Sequence, residues 1–251
     1  MSDTFSLQGK YILVTGASSG IGRGIAIACA EQGAKVMLQG RNIERLNATL
    51  SQLKGDGHMI IESDLSKYDE IVSIIERLPE IQGWVNSAAI PQVCPIKYFS
   101  KESLEEIFNV NIISTMLMLS LLLKSKKIKR GASIVFVSAI TGAFVGSKGD
   151  TAYCATKGAV NGFMKGAALE LAEKGIRINT VNPGLVPTDI LALSNKLNGE
   201  SHHEKTALDK YPLKRLGRPS DIAGGAVYLL SDASSWVTGQ ALAIDGGYLL
   251  E

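Results

Sequence analysis

Several ingredients are scarce in this chain. Cysteine occurs three times in 251 residues, at Cys29, Cys94 and Cys154. An odd number cannot all pair, and no two stand at C-x-x-C spacing, which argues against a disulfide framework or a zinc site. Free thiols in a reducing compartment are expected instead. Proline is low, at 7 residues against 26 glycines, which suits a folded chain with close backbone approaches rather than a disordered one. An excess of one charge is also missing: 26 Lys and Arg against 24 Asp and Glu leave +2. That removes any sequence-wide pull toward nucleic acid. The three histidines, His58, His202 and His203, lack ligand spacing with carboxylates, so no metal is expected. The longest apolar run, Ile112 to Leu123, is interrupted by Ser114, Thr115 and Ser120 and is shorter than the ~20 residues of a spanning helix. Met1 to Lys10 has neither the basic nor the apolar region of a signal peptide. The expectation is a soluble, cytoplasmic protein with no membrane or nucleic-acid partner.

What is present is a regular alternation. Tyr11–Thr15 is a short apolar run followed by glycines and a helical stretch, Ile21–Gln32. Lys35–Gln39 and His58–Glu62 read as the next strands, each followed by an amphipathic helix, Asn42–Leu53 and Lys67–Leu78. A fourth strand ends at Trp84–Asn86, Leu104–Lys127 reads as one long helix, and Ser133–Val137 is a fifth strand. Ala152–Glu173 is helical, Arg177–Val181 a sixth strand, Asp221–Leu230 helical, and Ala241–Ile244 a seventh strand. Strands apolar on both faces belong to a parallel sheet buried between helices. The pattern predicts one α/β domain over residues 1–251, doubly wound. Thr188–Tyr211 breaks it: this stretch is polar and weakly periodic, carries His202, His203 and Lys205, and reads as a lid.

The first strand runs into Thr15-Gly16-Ala17-Ser18-Ser19-Gly20-Ile21-Gly22. Between a strand and a helix, this G-x-x-x-G-x-G turn reads as a dinucleotide site rather than an ordinary connection. One glycine permits the tight turn, another the approach of a pyrophosphate, and a third close helix packing. The helix start offers free N–H groups to the anion. The second strand ends in Leu38-Gln39-Gly40-Arg41-Asn42. An acid there would bind a ribose 2′-hydroxyl. Gly40 occupies that place and Arg41 follows, which favours a 2′-phosphate, and so NADP(H) over NAD(H). The competing reading of Arg41 is a solvated side chain at a helix start. Asp64 either accepts from the adenine amino group or N-caps the next helix.

Tyr153 and Lys157 stand four apart in a predicted helix and share a face. A phenol of reference pKa ~10 is a poor acid–base group at neutral pH, and a neighbouring ammonium lowers it. Ser138 ends the fifth strand, at the sheet edge where ligands of such folds lie, and can donate to a carbonyl. Asn111, a poor residue for a helix interior, is placed to bend the long helix and bind a water. Singly, these are a surface pair, a strand-end cap and a helix polar residue. Their convergence on one sheet edge favours chemistry.

So assembled, the chain resembles the short-chain dehydrogenase/reductase family over essentially its full length. The matching pieces are Thr15–Gly22, Asn86-Ser87-Ala88-Ala89, Asn111, Ser138, Tyr153-x-x-x-Lys157, Asn182-Pro183-Gly184 with Thr188, and Thr238-Gly239-Gln240 to Asp245-Gly246-Gly247. The resemblance implies a Rossmann-type seven-stranded parallel sheet flanked by helices, usually assembled as a homotetramer. It implies Tyr153 as proton donor to a carbonyl, Lys157 as its pKa modulator and ribose ligand, Ser138 as polariser, and Asn111 as holder of a relay water. It implies cofactor contacts from Gly16, Ser18, Ser19, Gly20, Ile21 and Gly22 in the turn. Further contacts are implied from Arg41, Asn42, Asp64, Leu65, Ala88 and Asn86, the last also stabilising the sheet near the adenosine ribose, and from Pro183, Gly184, Val186 and Thr188, with Thr188 at the nicotinamide carboxamide. One departure stands out. The family's Asn-Asn-Ala-Gly is here Asn86-Ser87-Ala88-Ala89, and the Ala89 methyl implies a small local adjustment beside the cofactor.

Within the family the chain looks most like bacterial 3-oxoacyl-[acyl-carrier-protein] reductases, in length, in Arg41 and in Pro212-Leu213-Lys214-Arg215-Leu216-Gly217-Arg218-Pro219. That implies reduction of a ketone to a secondary alcohol on an acidic carrier. Lys124, Lys126, Lys127, Lys129 and Arg130, with Lys174, read either as a landing patch or as a solvated helix end. The alternative is a family member acting on a sugar-linked, polyketide, steroid or other specialised-metabolite carbonyl. Ile190, Leu191, Leu193 and Leu197 in the lid favour an acyl chain, while Asn195, Asn198, His202 and His203 favour a polar ligand. A non-catalytic dinucleotide sensor is a third reading, opposed by the intact Asn111, Ser138, Tyr153 and Lys157. Cys154, beside Tyr153, raises the expectation of oxidant sensitivity.

Overall fold

Seven strands pair side by side, all parallel, in the order β3-β2-β1-β4-β5-β6-β7. The computed structural model describes residues 4–188 and 208–250. The strands are β1 (Tyr11–Thr15), β2 (Lys35–Gly40), β3 (Met59–Glu62), β4 (Ile81–Asn86), β5 (Ile128–Val137), β6 (Arg177–Pro183) and β7 (Ala241–Ile244). The helices are α1 (Gly20–Glu31), α2 (Ile43–Leu50), α3 (Tyr68–Arg77), α4 (Lys101–Phe108), α5 (Ser114–Lys124), the single turn α6 (Ile140–Ala143), α7 (Thr151–Leu171) and α8 (Pro219–Leu230). This is the doubly wound sheet the alternation predicted. The expected lid lies outside the described residues except for Thr188 and 208–211, and so do Ile190, Leu191, Leu193, Asn195, Leu197, Asn198, His202, His203 and Lys205.

Period-two alternation sends neighbouring strand residues to opposite faces. Leu13, Trp84, Ile134 and Phe136 pack in one core cluster with residues of α3, α5 and α7. Ile12, Val14, Val85 and Val135 pack in the other with residues of α1 and α8. Trp84 meets Phe136 edge to face at 5.3 Å between centroids, and Phe163 of α7 stacks on Phe136 at 6.0 Å. Removing a fully buried aromatic of this kind costs about 3–5 kcal/mol.

The expected single helix Leu104–Lys127 is instead two helices joined by a π-helical turn, Asn109–Ile113. Asn111 sits in that turn with 1% exposure. Its Oδ1 accepts from the Ile90 N–H at 2.9 Å, and its Nδ2 donates to the Ile90 carbonyl at 3.0 Å and to Thr156 Oγ1 at 3.2 Å. The widened turn delivers this amide to the chain after β4, a common use of π-turns near functional sites. The helical run Lys101–Lys124 is long and apolar enough to cross a membrane by length and composition, more than the apolar run alone indicated. Here it is a core helix, with Ile107, Ile112, Met118, Leu119 and Leu122 buried. Strand β4 ends at Asn86 as expected, while β5 begins earlier than expected, because the polar residues Lys129 and Arg130 concealed the start of its ladder.

Candidate active site

The strand order reverses at β1, so the chain leaves β1 and β4 toward opposite faces and opens a crevice at their carboxyl ends. Ligands of open α/β sheets lie in such crevices. A cleft of about 950 Å³ occupies this place.

The glycine-rich turn forms one wall. Gly16 has φ +68°, and a Cβ there would stand 2.8 Å from the Ala88 backbone. A Cβ on Gly22 would stand 2.2 Å from the Gly16 carbonyl oxygen. Both positions are closed to any side chain, which brings backbone N–H groups to the cleft surface. Ser19, the N-cap of α1, makes no side-chain cap bond, and the first turn of α1 has no acid. Its N–H groups are therefore suited to an anion. Arg23, which sequence reading passed over, ties the turn down from behind: its guanidinium donates to the Ser18 carbonyl and, through Nε, to Thr49 Oγ1 at 3.1 Å.

At the end of β2, a Cβ on Gly40 would lie 3.3 Å from both Ser18 Cβ and Leu46 Cδ2. Arg41, Asn42 and Arg45 line the cleft beside it. Asn42 Oδ1 caps α2 by accepting from the Arg45 N–H at 2.8 Å. Gln39 is a second residue that sequence reading missed. Its Nε2 donates to the Ser63 carbonyl at 2.9 Å and to Ser63 Oγ at 3.0 Å, locking β2 to the segment after β3. Asp64 does not N-cap α3; Lys67 holds that position. Asp64 Oδ1 accepts from the Ser66 N–H at 2.9 Å. Burial pushes this carboxyl up, but the Ser66 hydrogen bonds and the Arg41 and Lys67 charges together bring it below its ordinary value.

The catalytic candidates converge on the cleft floor. Ser138, Tyr153 and Lys157 all line it. Lys157 Nζ donates to the Val137 carbonyl at 2.9 Å and lies 5.5 Å from the Tyr153 ring centroid. Ser138 Oγ donates to the Lys157 carbonyl at 3.0 Å. Burial brings Lys157 down to about 8. The expected lowering of Tyr153 by Lys157 does not emerge: burial pushes the phenol up, and the Asp150 and Cys154 charges add to it. The phenol is therefore held protonated, which is the form that donates.

The cofactor candidates of the turn, with Arg41, Asn42, Asp64, Leu65 and Ala88, all line the cleft, as do Pro183, Gly184, Val186 and Thr188. Ala89 lines it too, where its methyl was expected. Two candidates do not. Asn86 is buried, its Oδ1 accepting from Thr15 Oγ1 at 2.5 Å and its Nδ2 donating to Thr115 Oγ1 at 2.6 Å. It clamps β1, β4 and α5 together. Asn111 is likewise behind the wall, its amide engaged as described above.

The rim is polar. Ser147–Asp150 is a tight turn closed by the Asp150 N–H to the Ser147 carbonyl at 3.2 Å, with Gly149 at φ +89°. The Cys94 N–H donates to the Gly149 carbonyl at 2.8 Å, which anchors the turn and sets Lys148 at its corner. Opposite, Tyr211 Oη accepts from the Leu185 N–H at 2.8 Å and its ring meets Tyr248 at 5.2 Å. Lys210 and Tyr248 line the cleft here.

A glycine-framed dinucleotide cradle beside a Ser–Tyr–Lys group on the floor of the same cleft defines an NAD(P)-dependent oxidoreductase. A family model described as enoyl-(acyl carrier protein) reductase matches residues 16–249. A 3-oxoacyl-[acyl-carrier-protein] reductase of Thermotoga maritima is 33% identical over 250 residues, covering 97% of this chain and 99% of that protein. One of Chlamydia trachomatis is 36% identical over 248 residues, with 96% and 98% covered. A solved structure titled as a putative gluconate dehydrogenase from Agrobacterium tumefaciens superposes with a TM-score of 0.90 at 28% identity, with 98% of each chain covered. The chain belongs to the short-chain dehydrogenase/reductase family and is an NAD(P)-dependent enzyme of it.

Proposed function

We propose that this enzyme uses NADPH to reduce a ketone to a secondary alcohol, and that the ketone is a 3-oxoacyl group on a carrier protein. The observation that carries the reading is the grouping of Ser138, Tyr153 and Lys157 on the floor of a cleft whose far end is lined by Arg41. The likeness to carrier-protein reductases over nearly the whole chain supports the substrate class.

NADPH supplies the hydride when bound. Arg41 takes its 2′-phosphate, with Ser18 and Arg45 lining the same end. The Ser138 hydroxyl turns from the Lys157 carbonyl to the substrate carbonyl oxygen and polarises it. Tyr153 gives its phenolic proton to that oxygen, and the Lys157 ammonium stabilises the phenolate left behind.

The basic run needs reassignment. Lys129 and Arg130 are at the amino end of β5 and Ser138 follows its carboxyl end, roughly 25 Å away along the strand. Lys174 is close to the run, since the Arg130 guanidinium donates to the Glu173 carbonyl. A carrier docked there stands at the opposite edge from its own chain's Tyr153, so the run serves a neighbouring subunit of a homotetramer or nothing. Apolar residues left bare, Leu169 at 81% and Trp236 at 99% exposure, fit such an assembly. On the edge that carries Tyr153, the rim cations among the described residues are Lys148 and Lys210.

A second reading, a sugar-linked or other specialised-metabolite ketone, is favoured by that same rim of Lys148, Ser147, Asp150 and Lys210. One comparison separates the two: NADPH oxidation with a 3-oxoacyl group on its carrier, on a free thioester, and with a panel of keto sugars and keto acids. Preference for the carrier form, weakened by Arg130→Glu or Lys148→Glu but unchanged on the free thioester, supports the first reading. Turnover confined to the polar ketones supports the second.

A further inference from the structure

The helix that carries Tyr153 and Lys157 brings one more polar side chain to the buried wall of the site. Asn161 stands one turn after Lys157 and is 8% exposed. Its Nδ2 donates to Ser138 Oγ at 2.8 Å and to the Lys157 carbonyl at 2.9 Å. Its Oδ1 accepts from Thr180 Oγ1 of β6 at 2.8 Å. Thr180 Oγ1 in turn accepts from Asn182 Nδ2 at 2.9 Å.

The sense of the Asn161 amide is fixed at the Lys157 carbonyl, which can only accept, so the group 2.9 Å from it must be the Asn161 NH2. The Asn161 carbonyl then faces Thr180 and takes the hydrogen of the Thr180 hydroxyl. Ser138 Oγ then receives a proton from Asn161 and keeps its own hydroxyl proton to give away. In this structure that proton goes to the Lys157 carbonyl at 3.0 Å. When it swings to a ligand in the cleft, the second N–H of Asn161 still satisfies that carbonyl, and no buried acceptor is stranded.

We propose that Asn161 is the positioning residue that makes Ser138 a hydrogen-bond donor toward the substrate carbonyl, with the Lys157 carbonyl and the Thr180 hydroxyl fixing the sense of its amide. The proposal rests on the reductase reading, in which Ser138 polarises that carbonyl. A polar residue at this point of a helix packed on β5 and β6 has no other evident reason, since an apolar side chain would pack there without needing three partners.

The test is the isosteric variant Asn161→Asp. A carboxylate has no proton to give. It takes the Ser138 proton and repels the Lys157 carbonyl. The expected result is a fall in kcat of about 100-fold, the scale of losing one oriented donor, with KM for NADPH unchanged. Below neutral pH the introduced carboxyl gains a proton and becomes a donor again, so kcat relative to the wild type recovers. Taking the ratio cancels Tyr153 and Lys157, the titratable groups beside it on the same helix. In a Ser138→Ala background the Asn161→Asp change costs little more, because the two act through one bond. An unchanged kcat, or a loss that simply adds to that of Ser138→Ala, overturns the proposal and leaves Asn161 a packing residue. If the wild type reduces no ketone, the reductase reading fails, and a crystal structure of Asn161→Asp at pH 8 decides this inference by itself. The carboxylate should keep Ser138 Oγ and withdraw beyond hydrogen-bond distance of the Lys157 carbonyl. A carboxylate that stays on both overturns the inference.

Discussion

Lys157 Nζ stands 5.5 Å from the centre of the Tyr153 ring, and its hydrogen-bond acceptor among the described residues is the Val137 carbonyl at 2.9 Å. A buried ammonium with one neutral acceptor and no carboxylate beside it among the described residues is held for chemistry at a cost in stability. The direction of the pKa shift expresses that cost. Burial brings Lys157 from 10.5 to about 8.

A stability prediction follows from the sign. A base with a lowered folded pKa disfavours folding while charged. Between about 8 and 10.5 the unfolded chain binds more protons than the folded one, so this contribution to stability rises with pH across that window. Lys157→Met should therefore be about 1–2 kcal/mol more stable than the wild type at pH 7, with the gap closing by about pH 10.5. Its turnover should fall at least about 100-fold. Thermal unfolding at the two pH values checks the first part. A variant less stable by the same amount at both would contradict it.

Cofactor choice should depend on one guanidinium. Arg41→Ala removes a charge-assisted contact and should raise KM for NADPH about 10- to 100-fold while leaving KM for NADH nearly unchanged. Equal effects on both cofactors would mean that Arg41 only shapes the end of β2.

The glycine turn is predicted to be intolerant at Gly22. An alanine Cβ there would stand 2.2 Å from the Gly16 carbonyl oxygen, so α1 must shift away from β1. The expected outcome is loss of NADPH fluorescence enhancement together with a melting point several degrees lower, the range of about 1–3 kcal/mol for overpacking. Gly162→Ala, at a helical position where a Cβ meets nothing within 4 Å, serves as the neutral control.

The oxidant sensitivity expected of Cys154 has a plain test. Cys154 is half-buried and Cys94 is also half-buried, while Cys29 is fully buried, with its thiol pushed up to about 12. Thiolate reactivity falls with such a shift, so Cys29 should resist alkylation while Cys94 and Cys154 label. Mass spectrometry after a brief iodoacetamide pulse shows which labels, and Cys154→Ser shows whether that labelling is what lowers activity.

The strands and the glycine turn were readable in the sequence because both are local patterns: apolar runs of fixed length and glycines at fixed offsets. The site residues Ser138, Tyr153 and Lys157 were readable for the same reason, each standing at a strand end or at helical spacing. That the amides of Asn111 and Asn86 turn away from the cleft was not legible, because a buried asparagine looks alike whether it faces a ligand or clamps two elements. Only the partners, Ile90 and Thr156 for one and Thr15 and Thr115 for the other, tell the cases apart. Arg23, Gln39 and Asn161 were missed because their roles lie in contacts with residues distant in the chain, such as Thr49, Ser63 and Ser138, that no spacing rule connects. The break at Asn109–Ile113 was hidden because a π-turn adds one residue without disturbing the apolar character of the run.

The central claim is that Tyr153 protonates a carrier-borne ketone as NADPH reduces it. The most direct measurement is NADPH oxidation by the wild type and by Tyr153→Phe with a short 3-oxoacyl group on its carrier protein, alongside NADPH binding to both. The account predicts rapid turnover by the wild type, a loss of about 1,000-fold or more in the variant, and NADPH affinities within a few-fold of each other. Comparable turnover by the two proteins would contradict it.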